Sequence, residues 1–146
     1  MLSGLFGILR PNDRIQPYRL EMGIPLKNRL GSDLYSFWRK RLTKAVQQIL
    51  DDDGSGILVN LASNEYFKVL VKKQLKVRII TPTFKDFHDG AYKFLTVYGK
   101  HARGEMTRFI NTHQLSDAED IKAFDASGYA FNPRMSNGDD WVFTRG

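Results

Sequence analysis

The chain has 146 residues, about the length of one domain, and its 42% hydrophobic and 12% aromatic content excludes wholesale disorder. It contains no cysteine, which excludes disulfides, thiolate catalysis and Cys-ligated zinc together and fits a reducing cytosol. Twenty-two Lys and Arg against sixteen Asp and Glu leave a net charge of +6, which favours polyanionic partners such as nucleic acid, nucleotides or acidic surfaces.

Residues 2–9, LSGLFGIL, are apolar and end at Arg10-Pro11, and they read as a buried strand. Without a preceding basic segment or a small-residue cleavage pattern at Arg10-Pro11 they are not expected to act as a secretory signal, and no run approaches the roughly 18 apolar residues of a membrane helix. The expected location is the cytoplasm, with no membrane partner. In YRLEMG, residues 18–23, strict alternation predicts a strand with Tyr18, Leu20 and Met22 on one face and Arg19 and Glu21 on the other.

Residues 33–50 predict an amphipathic helix capped by Ser32, with Leu34, Phe37, Trp38, Leu42, Ala45, Val46 and Ile49 inward and Arg39, Lys40, Thr43, Lys44 and Gln47 outward. DDDGSG then reads as a loop. A buried strand at 57–62 runs into a short helix beginning near Ser63, and a strand delivering its carboxyl end to a helix N-terminus is a place where open α/β sheets bind anions. Ser63 as a cap, with Glu65 complementing the helix dipole, explains the same residues structurally.

VRIITPTFKDF and AYKFLTVYG flank HDG and predict an antiparallel hairpin turned at Asp89-Gly90, with Pro82 marking an edge or an interruption. Residues 100–113 predict a helix with Ala102, Met106, Phe109, Ile110 and His113 inward and Lys100, Arg103, Thr107 and Asn111 outward; Gly104 costs this helix roughly 1 kcal/mol relative to Ala. Residues 128–144 predict two strands joined by a turn. Together these elements give a mixed α/β fold, a mixed sheet with flanking helices in one domain spanning 1–146.

Familiar catalytic patterns are missing. The sequence has no G-x-S-x-G, no P-loop, no G-x-G-x-x-G and no H-E-x-x-H, and no catalytic residue or cofactor is expected. His101 and His113 lie about 18 Å apart along one helix, so the three histidines share no metal-ligand spacing. What remains is a set of polar residues inside apolar elements: Arg19, Glu21, Asn60, Ser63, Glu65, Lys68, Lys100, Arg103 and Arg108. Buried and unpaired, each charge would cost several kcal/mol, so such groups must pair with one another or line a cleft. For Arg19 and Glu21 both readings stand, a local ion pair or a cleft wall.

MLSGLFGILRP, IQPYRLEMG, DLYSFW, VNLASNEYFK, KHARGEMTRFI and SGYAF resemble, in order, the signature segments of the YaaA-type peroxide-stress protein family. The resemblance runs through nearly the whole chain. It implies a bacterial, cytoplasmic α/β protein linked to surviving peroxide by limiting free intracellular iron, binding double-stranded DNA through a basic cleft. On the same ground Arg10, Tyr18, Arg19, Lys68, Lys100, Arg103 and Arg108 are expected to bind the nucleic acid or another anion. Glu21, Asn60, Ser63, Glu65 and Tyr66 are expected to form the cleft's polar network. The resemblance also implies that the chain corresponds to the C-terminal portion of such proteins, and it places His101 where a lysine is expected. The alternative is an enzyme or binder acting on a nucleotide or nucleobase, with Glu21 or Glu65 as acid/base and the Ser63 helix start holding a phosphate. Direct iron binding is a third reading, for which no 2-His-1-carboxylate spacing is found.

Overall fold

A computed structural model describes residues 1–146, and the chain divides into two compact units. The first comprises Met1–Gly56 and Ala62–Val77; the second comprises Ile57–Leu61 and Arg78–Gly146. The architecture is mixed α/β.

The first unit opens on two-residue strands, β1 (Leu2–Ser3) and β2 (Gly7–Ile8), paired antiparallel. The continuous buried strand predicted for 2–9 is thus a tight hairpin, because the chain reverses at Gly4 to Phe6 and Gly7 takes φ +75°, a conformation that costs glycine little. Residues 18–23 are likewise not a strand. No neighbouring strand offers them a ladder, so they run as irregular chain with Met22 fully buried and Arg19 and Glu21 in solvent.

Helix α1 (Leu34–Asp53) is capped by Asp33 rather than Ser32: the Asp33 carboxylate accepts from the Ser36 N–H at 2.8 Å, and Gly54 closes the other end at φ +73°. Its buried arc runs through Tyr35, Leu42, Thr43, Val46 and Leu50. Ile49, expected inward, is therefore 53% exposed, and Thr43, expected outward, is buried. The first three residues of DDDGSG belong to the helix, and α2 (Asn64–Phe67) is a single turn.

The second unit is built on a five-stranded mixed sheet. β4 (Arg78–His88) is its centre: β3 (Ile57–Val59) and β7 (Asp140–Arg145) lie parallel to it, β5 (Ala91–Lys93) is antiparallel to it, and β6 (Ala130–Phe131) pairs antiparallel with β7. Alternate residues of β4 from Ile80 to Asp86 are buried, as a half-covered strand requires. The hairpin forms as predicted, with positive φ at both Asp89 (50°) and Gly90 (77°). Pro82 faces the β4 edge between β3, whose register ends at Ile80, and β5, whose register starts at Asp86, so its missing N–H breaks no ladder bond.

Helix α3 (Thr96–Thr112) starts four residues before its predicted first residue and takes over much of the second strand expected at 91–99. Ala102 and Met106 are fully buried in a core with Ile80, Phe84, Phe124, Tyr129, Trp141 and Phe143. The rings of Phe84, Phe124 and Phe143 meet with centroids 5.6 to 5.9 Å apart. His113, predicted inward, is exposed at the end of α3, its Nδ1 2.9 Å from the Phe109 carbonyl. No helix is long and apolar enough to cross a membrane.

Candidate nucleic-acid interface

The predicted site residues are distributed over both units. In the second, α3 projects Lys100, His101 and Arg108 around an open concavity of about 400 Å³, whose floor includes Gly104. On a helix these positions repeat at three, four and seven residues, which brings them to one face. Neither Lys100 nor Arg108 has a carboxylate within 4 Å, and a Cβ added at Gly104 would meet nothing within 4 Å. Gly104 therefore leaves bare backbone facing the cations. No close packing partner explains it.

Glu105 is the carboxylate of this face. Its Oε1 accepts from the Ser127 hydroxyl at 2.8 Å, while Oε2 is buried without a partner. Arg103 sits partly buried with its guanidinium 5.5 Å from the centre of the Phe94 ring, and burial pulls its pKa down. Asn60, at the end of β3, is buried and donates its backbone N–H to the Ile80 carbonyl at 2.7 Å.

In the first unit Tyr18, Glu21, Glu65 and Tyr66 are neighbours. Burial, followed by the Glu65, Tyr18 and Glu21 groups, pushes the Tyr66 phenol up. The Tyr18 hydroxyl bonds the Ser3 hydroxyl, and the Tyr18 ring meets Phe6 edge-on at 5.3 Å. Glu65 Oε1 accepts the Gly23 N–H at 2.9 Å, which ties the 18–23 segment to α2. Arg19 and Glu21 meet each other at 3.7 Å, with side chains 91% and 57% exposed, and neither reaches another charged partner. Ser63 makes no side-chain cap bond, and a four-residue helix has almost no dipole to offer an anion. Arg10 is exposed, its N–H donating to Asp13 in a turn. Lys68 lies over the Tyr35 ring, 4.4 Å from its centre.

Sequence reasoning missed the network joining Asp86, Tyr129 and Arg145, whose members lie 43 and 59 residues apart, and it placed Arg39 and Lys40 on the outward face of α1 without assigning them to the site. No group of three His, Asp or Glu side chains converges as a metal site.

The model of the peroxide stress protein YaaA family matches residues 1–135 of the chain. The chain belongs to the YaaA peroxide stress protein family. Among curated relatives, the UPF0246 protein of Ralstonia nicotianae is 52% identical over 145 residues, covering 99% of this chain and 56% of that protein. Those of Azoarcus sp. and Hahella chejuensis are 51% and 49% identical, each covering 99% of this chain and 57% of the relative. The chain thus spans just over half the length of the curated relatives it matches.

Proposed function

We propose that this YaaA-family chain supplies part of a DNA-binding surface used in the cytoplasmic response to peroxide, with Lys100, Arg103 and Arg108 of α3 contacting backbone phosphates. The supporting observation is the group of unpaired cations around the bare backbone at Gly104. Cations without internal partners can neutralise phosphates at full strength, and a glycine lets a phosphate approach the helix backbone. His101 joins this face and adds charge below neutral pH. The contribution to limiting free intracellular iron is taken to lie downstream of that binding.

The nucleotide-enzyme reading with Glu21 or Glu65 as acid/base draws less support. Glu65 is engaged by the Gly23 N–H, and Glu21 stands in solvent beside Arg19.

Fluorescence anisotropy with a labelled duplex across a salt series tests the proposal. Phosphate neutralisation releases counterions, so log affinity should fall with log salt by about 0.9 per contact. Lys100→Glu and Arg108→Glu should each weaken binding at every duplex sequence and flatten that slope by about one contact. An affinity that stays flat with salt, or that ignores both substitutions, would sink the proposal.

A further inference from the structure

In the first unit a second concavity, of about 780 Å³, opens between the first two turns of α1 and the segment from Lys68 to Gln74. We propose that it binds a free di- or triphosphate group, such as that of a nucleoside triphosphate, independently of the α3 surface.

Three cations, Arg39, Lys40 and Lys68, line this space against a single carboxylate, Asp33. None of the three lies within 4 Å of an acidic group. Asp33 offsets only one of these three charges, and its Oδ1 is engaged by both the N–H and the hydroxyl of Ser36, at 2.8 and 2.7 Å. Those Ser36 bonds, and after them Arg39 and Lys68, hold the Asp33 carboxyl below its usual range. The charge left over around this space favours an anion within it.

The walls are tied together before any ligand arrives. The Tyr35 hydroxyl donates to the Glu65 carbonyl at 2.9 Å, the Val71 N–H donates to Thr43 Oγ1 at 3.0 Å, and the Tyr35 ring supports the Lys68 ammonium. A site whose walls are already braced loses little entropy on binding. Its volume falls in the range of small-molecule sites.

Charge density selects the ligand. Along the duplex axis one DNA strand presents a single charge per about 3.4 Å of rise, carried on phosphates separated by sugars along a convex path, whereas a triphosphate links its charged groups directly in one compact unit. Arg39 and Lys40 lie on one turn of α1, and Lys68 reaches the same space from the other wall, which suits the compact group. Gln74 adds an amide donor at the rim.

Isothermal titration calorimetry on the 146-residue chain, with pyrophosphate, tripolyphosphate and ATP as probes, tests this inference. One saturable site should appear with tripolyphosphate and with ATP. Lys40→Gln and Lys68→Met, both exposed positions, should each weaken it about tenfold or more. Lys44→Gln, on the same helix but outside the concavity, should leave it within about twofold. Circular dichroism of each variant establishes that α1 is retained. Absence of saturable binding overturns the proposal, and so does equal loss in Lys44→Gln, which would mark diffuse charge attraction. Binding of ATP without tripolyphosphate would assign recognition to the nucleoside and overturn it as well. Competition by a duplex that fails in the same two variants would assign the site to nucleic acid instead.

Discussion

The Tyr129 hydroxyl sits 3.1 and 3.0 Å from the two carboxylate oxygens of Asp86, in the buried centre of the second unit. Arg145 Nε donates to the same carboxylate at 2.7 Å, so the charge of Asp86 is matched where water cannot solvate it. Tyr129→Phe removes a donor and leaves Asp86 held by Arg145 alone, and it should destabilise the protein by about 1–3 kcal/mol, read as a lower urea midpoint. Burial, reinforced by Asp86, pushes the Tyr129 phenol up to about 12. A phenol whose pKa is raised on folding contributes stability in full below about pH 10, where it is protonated in both states. That contribution, about 2–3 kcal/mol, drains away as pH rises from 10 through 12. An alkaline unfolding series should show this loss in the natural chain and lack it in Tyr129→Phe.

Thr43 joins α1 to the chain after α2. Its hydroxyl donates to the Arg39 carbonyl at 2.7 Å and accepts the Val71 N–H at 3.0 Å, and the residue is 2% exposed. Thr43→Val keeps the shape and strands that N–H without its acceptor. A loss of about 1–3 kcal/mol is expected by chemical denaturation, whereas Thr43→Ser should recover most of it.

The Trp38 indole braces the opening hairpin from α1. Trp38 Nε1 donates to the Gly4 carbonyl at 2.8 Å, while the ring lies where a Cβ on Gly7 would fall, 2.7 Å from the nearest carbon. Gly7→Ala combines that overlap with a φ of +75° and should cost about 2–4 kcal/mol. Gly4→Ala should also be destabilising, because its Cβ would lie 2.4 Å from the Leu20 carbonyl oxygen. Trp38 emission during thermal unfolding reports both.

Gly104 predicts the opposite sign. Its surroundings are open, so Gly104→Ala should stabilise α3 by about 0.5–1 kcal/mol through helix propensity alone. Gly104→Glu places a carboxylate between Lys100 and Arg108, and it should weaken duplex binding several-fold while thermal stability holds.

Much of the fold can be read directly from local pattern. The periodicity of α1, the Asp89-Gly90 turn and the paired strands at the C-terminus each carry their signal within a few residues of sequence. The opening segment and YRLEMG mislead for a shared reason: alternating or apolar residues make a strand only where a partner strand exists, and these segments find none long enough. Thr96, Val97 and Tyr98 favour strands in isolation, yet they extend α3, because continuing a helix already buried through Ala102 and Met106 outweighs a weak local preference. Lys100 and Arg108 both stand in the polar set that the sequence offers, although the outward face predicted for their helix groups Lys100 with Arg103 instead. Lys68 and Arg39 are nearly thirty residues apart, and nothing short of the tertiary fold brings them to one space.

The gap at Pro82 bears on how the protein resists association. β4 is much longer than either strand flanking it on that side, which leaves a stretch of backbone between Ile80 and Asp86 with no strand partner there. An incoming extended chain would seek the regular run of donors that such a stretch normally offers. Proline removes the donor at the middle of that opening, so the sheet's centre cannot serve as a template for strand addition by another molecule.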